Sequence, residues 1–496
     1  MAESEFPVAR KLLDEMWGAL GGDARVSEAV TFSGDGSLPS SFALTDLAAA
    51  AFGVAATAVN ELVEAGGGSL APVHVDRRLA SGWFMLPAPP SQVLGTTFKA
   101  PDYIADYPFF TELPTADGRW LRLHGIWPSG RARIARALGV DEDVNQVAEI
   151  VREYEADVIE QRLVDNGCIV AASRTPEEWL SHPIGAQIDA EPLARIEEFA
   201  APGSTWRPTP GRPLSGIRVL DLTRVIAGPT GTRFLAALGA EALRIDMPGS
   251  EESKAHTGRG TDMVLGKRWA FLDLKSPEGL ALFKELLATA DVLVHGYRPG
   301  ALDGFVSEAE RRSLNPDLVE VAIRAYGWDN PWQNRRGFDT VVQFSVGLAN
   351  ETQRWALEDP DTRVPIMING GPVDASRPRH TPVEGLDLST GYQMAAAAIR
   401  GLTKRLRTGT GSTSKFSLAR TASLVIRADR NPDTAPYISL PVDGPWEDRI
   451  YGSPFGPVRR LQFPLTIEGT PLFWERQVEP AGSSMPSWVS WSGEAL

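Results

Sequence analysis

"IRVLDLTRVIAGPTGTRFLAALGAEALRID", residues 217–246, decides the fold. A short apolar run (217–222) leads into the loop "DLTRVIAGPTG" (221–231). A helical segment, "TGTRFLAALG", is closed by Gly239, and a second apolar run occupies 241–246. Strand, helix and strand in this order form a β-α-β unit. The pattern continues downstream in "WAFLDL" (269–274), "SPEGLALFKELLATA" (276–290), "DVLVHG" (291–296) and "LVEVAIRAYG" (318–327). Ser276 is placed to cap the long helix, with Pro277 at its first position. Such alternation predicts a parallel sheet covered on both faces, with ligands at the carboxyl ends of its strands.

Upstream, "FAAPGSTWRPTPGRPLSG" (199–216) is rich in Pro and Gly and aperiodic, so it reads as a linker. The N-terminal half has a different texture. An Ala-rich helix lies within 40–64, and a mixed segment, "RWLRLHGIW", covers 119–127. Helices follow near 130–138 and 144–165, and another starts at Thr175. "TDLAAAAFGVAATAVNELV" (45–63) echoes "LDLSTGYQMAAAAIRGLTK" (386–404), with Asp46 on Asp387. Without a gap, "VHVDRRLA" (73–80) then falls on "SKFSLART" (414–421), which points to a degenerate internal repeat.

Composition narrows the partners. The 496 residues carry 49 Lys and Arg against 63 Asp and Glu, a formal charge of −14. Such an acidic chain is a poor binder of nucleic acid or of anionic membrane. The single cysteine, Cys168, sits in apolar "LVDNGCIVAAS" and reads as a buried thiol. One thiol makes no internal disulfide and no metal cluster, in keeping with a reducing cytoplasm. The N-terminal segment has no signal-peptide core, and no run of 18 apolar residues predicts a membrane span.

Four stretches are candidates for chemistry. The 221–231 loop opens a helix whose amides suit an anion, but it is not GxGxxG, which argues against a nicotinamide dehydrogenase. Lys267 and Arg268 precede a strand and suit phosphate, although adjacent cations are more often solvated. Tyr297, in "VHGYRPGALDGF" (294–305), offers a stacking surface. Asp387, taken alone, reads as an N-cap, a frequent role for Asp.

Together these stretches resemble successive blocks of the family III CoA-transferases, which include formyl-CoA and carnitine CoA-transferases and the α-methylacyl-CoA racemases. The likeness runs nearly unbroken from about 213 to 425. The tail at 453–474 resembles the family's ending, and 119–190 resembles its small domain more faintly. The resemblance implies that Asp387 is a nucleophile forming a mixed anhydride and then a CoA thioester. It implies CoA contacts at Arg224, Ala227, Lys267, Arg268, Tyr297, Ala301 and Arg324. Departures stand at Ile226, Arg224, Met247 and Gly304, which speak against formyl or oxalyl specificity. The racemase histidine position holds Phe338, which cannot transfer a proton. The six histidines are otherwise scattered, with His295 nearest the expected pocket.

The expected architecture is α/β. A Rossmann-like parallel-sheet CoA-transferase domain is joined to a smaller α+β region, in a rearranged or degenerate tandem copy of the family III fold. Residues 1–205 form a degenerate N-terminal half with a small-domain-like segment. Residues 211–430 form the CoA-binding and catalytic domain, and 431–496 a tail packing back on it. The implied function is CoA transfer between an acyl-CoA and a carboxylic acid, small molecules both, with coenzyme A and no metal, and with a homodimer in keeping with the family. The alternatives are an acyl-CoA racemase or isomerase and a non-catalytic CoA-binding protein. Asp46, lacking a phosphate loop in its own half, is expected to be non-catalytic.

Overall fold

The structure, a computed structural model, describes residues 5–85, 91–95, 107–251, 261–298, 300–359, 363, 376–431, 436–438 and 444–489. His256 lies outside them. The centre of the fold is a seven-stranded sheet in the order Lys267–Phe271, Glu241–Asp246, Arg218–Leu222, Val292–His295, Val319–Arg324, Thr410–Ser417 and Arg195–Ala200. The first six run parallel, and Arg195–Ala200 closes the edge antiparallel. The strand order reverses between Arg218–Leu222 and Val292–His295, which opens a crevice at their carboxyl ends.

The strand expected at 269–274 begins two residues earlier, because Lys267 and Arg268 are already in ladder register with Ala242 and Leu243. The helix after it runs Pro277–Ala288, with the Ser276 hydroxyl accepting from the Gly279 N–H. The stretch expected to be a linker from 199 still belongs to the sheet as far as Ala200.

The N-terminal half packs as two units. The strands Glu112–Pro114, Trp120–Leu123 and Val170–Ala172 form a small antiparallel sheet. Helices Pro128–Leu138, Val144–Val151 and Ala156–Asp165 enclose a separate core on it that includes Cys168. Burial pushes that thiol up to about 11, so it is a packing residue.

The other unit surrounds the helix Leu44–Ala65, which is apolar and long enough to cross a membrane but is buried within the fold. It lies parallel to the helix Gly385–Thr408. Near their starts Leu44 and Leu47 approach Gly385, midway the rings of Phe52 and Tyr392 are 4.2 Å apart, and further on Arg400 meets Glu61 at 2.8 Å. Each helix leads through a turn to a strand and a capped helix. Asp76 caps Arg77–Trp83 by accepting from Leu79 N–H at 2.9 Å, and Ser417 caps Leu418–Arg427 by accepting from Arg420 N–H at 3.1 Å. Both strands also pair in parallel with an earlier one, Val73–Asp76 with Val30–Ser33 and Thr410–Ser417 with Val319–Arg324. From the tail, Leu465–Ile467 pairs with Val73–Asp76, and Val458–Leu461 with Ser91–Val93.

The helix Ala227–Ala237 crosses Gly385–Thr408 at two glycines. A Cβ on Gly391 would meet the Ala227 carbonyl oxygen at 2.4 Å, and one on Gly231 would meet the Gly391 carbonyl oxygen at 2.7 Å. Helix propensity alone favours Gly391→Ala by about 1 kcal/mol. The obstructing atom is backbone and cannot rotate away, and overpacking costs about 1–3 kcal/mol. The contact wins, so Gly391→Ala should melt below wild type. A rise in melting temperature would mean that the two helices separate freely.

Candidate active site

Asp221, at the end of the first sheet strand, organises the loop that follows. Its carboxylate accepts from the Thr223 N–H at 2.9 Å, the Thr232 hydroxyl at 2.6 Å and the Lys267 ammonium at 2.8 Å. Burial opposes its ionisation, but Lys267 and Arg244 outweigh burial and hold the carboxyl below its usual range. The loop then turns through Val225, the one described non-glycine residue with positive φ, at 67°. A β-branched residue there stores about 1–3 kcal/mol of strain. Helix Ala227–Ala237 begins without a side-chain cap, which leaves the first N–H groups for an anion.

These elements wall a cavity of about 500 Å³ that also contains Asp387. Its opposite wall comes from the small N-terminal unit, with His124, Trp127, Arg133 and Ile169. Asp387 lies in the first turn of Gly385–Thr408, and its backbone N–H donates to Asp339 Oδ2 at 2.8 Å. Gln343 supports this contact by donating to Asp339 and accepting from the Thr381 N–H at 2.7 Å. Asp339 and Asp387 are buried, with Glu384 half-buried. Burial, then Asp339, raises Asp387 well above the ordinary carboxylate range. Burial carries Asp339 to about 6, and burial with the neighbouring acids raises Glu384. Asp46, at the echo position, has a cation instead, with Arg77 at 2.9 Å.

The expected CoA contacts divide. Arg224, Ala227, Tyr297 and Arg324 line the cavity. Arg324 donates to Gln333 at 3.1 Å and stacks 3.9 Å over Trp328, and with Tyr297 it continues into a side cavity of about 230 Å³. Lys267 and Arg268 do not line either cavity. Lys267 is fully buried between Asp221 and the Pro229 carbonyl, and burial draws it down to about 8. Arg268 holds Glu241 and the carbonyls of Met485 and Ser487, fastening the tail. The strand starts early and takes both into a sheet covered on its two faces, so the structure does not bring them to the cavity. Ala301 is not in either wall, and its N–H closes the turn on the Arg298 carbonyl at 2.9 Å. His295 is tied to Glu320 at 3.0 Å, and Glu320 is held by Arg311 at 2.6 Å, an arrangement that serves the fold.

Sequence reasoning missed the main cationic group. Arg133, Arg298 and Arg336 line the cavity with Arg224. Burial first, and then Arg298, Arg133 and Arg224, lower Arg336 to about 10. The signals were "SGRAR", "YRPG" and "NRRGFD", which lie in three separate segments.

Residues 214–432 match the model of CoA-transferase family III. An acyl-CoA transferase of Gibberella moniliformis is 34% identical, over 47% of this chain and 44% of its own. Succinyl-CoA:glutarate CoA-transferase of Mus musculus is 31% identical, over 44% of this chain and 51% of its own. A solved structure of the hypothetical protein Rv3272 from Mycobacterium tuberculosis is 27% identical, over 44% of this chain and 57% of its own, with a TM-score of 0.37. The chain thus spans about half the length of the curated relatives it matches.

A carboxyl whose pKa rises on folding stabilises fully below its unfolded value and loses that stability as pH climbs through the folded value. For Asp339 the window runs from roughly 4 to about 6, and Asp387 shifts in the same direction. Asp387→Asn should therefore melt above wild type at pH 8, with the gain shrinking toward pH 4. Asp46→Asn should melt below wild type at pH 8, because it strands Arg77 without its partner. Equal shifts of one sign in both variants would contradict the contrast between the two acids.

Proposed function

We propose that the chain transfers coenzyme A between an acyl-CoA and a carboxylic acid, with Asp387 as the nucleophile. The observation that carries this reading is the placement of Asp387 in one cavity with a strained loop, an uncapped helix start and six arginines. The 3′-phosphate and diphosphate of CoA would take the arginines and the helix amides. The Asp387 carboxylate attacks the thioester carbonyl, forming a mixed anhydride and expelling CoA thiolate. The thiolate attacks the aspartyl carbonyl, releasing the donor acid as a carboxylate and leaving a thioester on Asp387. An acceptor carboxylate attacks that thioester and repeats the exchange in reverse, which restores Asp387. Each step moves an acyl group between anions, and no proton changes hands. Phe338 fits such a cycle, whereas racemisation needs a second proton carrier.

We also assign the N-terminal half as a degenerate copy of the same fold. The parallel packing of Leu44–Ala65 on Gly385–Thr408, the matched caps at Asp76 and Ser417 and the matched strand pairs support this. Its Asp46 is silenced by Arg77. The copy has no phosphate loop of its own and packs along the flank of the Asp387 helix.

Incubation with an acyl-CoA should leave a covalent acyl or CoA adduct on Asp387, seen by mass spectrometry of the digest. Asp387→Ala should give no adduct and no turnover, and Asp46→Ala should turn over within a few-fold of wild type. Charged hydrogen bonds contribute about 1.5–3 kcal/mol, so Arg336→Ala should weaken CoA by about tenfold or more in calorimetric titration. An Asp387→Ala protein with near wild-type turnover refutes the mechanism.

A further inference from the structure

The cavity is chemically divided. One wall is an aromatic panel in which His124 stacks on Phe338 with ring centroids 4.5 Å apart, and Trp127 lies 5.4 Å from Phe338 and 5.7 Å from His124. Ile169, Ile226 and Leu418 extend the apolar lining. The panel adjoins the nucleophile through the chain itself. Phe338 directly precedes Asp339, whose carboxylate accepts the Asp387 N–H at 2.8 Å. The His124 imidazole is neutral, since burial and then Arg122 lower it to about 3.

The charges beside Asp387 are of one sign. Asp339 is the charged neighbour that acts on it, and Glu384 lies in the same acidic group. The guanidinium groups act on one another around Arg336. An acyl group carrying a second carboxylate would set that charge against neutral rings, beside two acids, after losing its hydration. Burying an unpaired charge in this way is heavily unfavourable. An aliphatic or aryl chain on the panel instead gains roughly 25 cal/mol for each Å² removed from water.

Resting on the transferase reading above, we infer that the acyl groups exchanged at Asp387 are apolar, with an aliphatic or aryl body and a single carboxyl, the one that reacts. Trp127 and Phe338 then determine specificity, and the small N-terminal unit selects the substrate while the sheet domain holds CoA.

The test uses the full chain with acetyl-, hexanoyl-, phenylacetyl- and succinyl-CoA. It reads both the rate of adduct formation on Asp387 and kcat/KM with an excess of a monocarboxylic acceptor. Hexanoyl- or phenylacetyl-CoA should react at least tenfold faster than succinyl-CoA. Trp127→Ala should erase most of that preference by slowing the apolar donors far more than acetyl-CoA, and Trp127→Phe should keep it. The wild-type comparison stands even if Trp127→Ala fails to fold. Succinyl-CoA reacting as fast as the apolar donors, with the adduct on Asp387, overturns the inference and leaves the transferase reading intact. No adduct on Asp387 from any donor overturns both.

Discussion

Two helices can approach to backbone contact only where side chains are missing, and the arrangement of this site follows from one such contact. Gly391 lies one turn beyond Asp387, and Gly231 one turn into the helix that follows the first sheet strand. Their crossing presses the start of one helix against the Asp387 turn of the other. The strained loop at Val225 is the corollary. The strand end is fixed by Asp221 and Lys267, the helix start by the glycine crossing, and the few residues between must span whatever gap remains. A fully buried ion pair is a weak source of net stability but a firm constraint on geometry.

The second constraint is electrostatic. Asp46 and Asp387 occupy equivalent places on two parallel helices, yet one has an arginine at 2.9 Å and the other has carboxylates for neighbours. Arg77 offsets the charge of Asp46 only in part, since burial still raises that carboxyl above its ordinary range. An unpaired buried acid is held at the expense of stability, and an attacking carboxylate gains nucleophilicity from poor solvation. The difference arises at one aligned position, where the N-terminal half has Arg77 and the C-terminal half has Leu418. Leu418 lines the cavity instead of closing it.

The parallel sheet, its helices and the position of Asp387 were legible because they are local. Alternation of apolar runs, the Ser276 cap and the glycine turns each act within a few residues. Lys267 and Arg268 were misread because a strand that starts two residues early takes both out of the loop and into a sheet covered on both faces, and local pattern does not fix an element boundary that closely. The arginine group and the aromatic panel were not legible for a different reason. Arg133 and Trp127 come from the small unit, Arg336 and Phe338 from the loop after the fifth parallel strand, and only tertiary packing brings them together. The Asp339 contact was hidden in the same way, although its residue stood in a segment already compared with the racemase motif.

The chain order follows from this geometry. A cavity between two separately folded walls is complete only when both are docked. Here Arg195–Ala200 hydrogen-bonds into the sheet directly after the small unit and before the aperiodic stretch, so the small unit is anchored at its C-terminal end to the domain it serves. The tail strands return to Val73–Asp76 and Ser91–Val93, closing the N-terminal half from the other side. Covalent linkage makes the association intramolecular, so docking no longer depends on protein concentration. The buried contact between Glu61 and Arg400 then holds the two parallel helices in register. The N-terminal half thus contributes to the cavity through its packing and through the wall it carries.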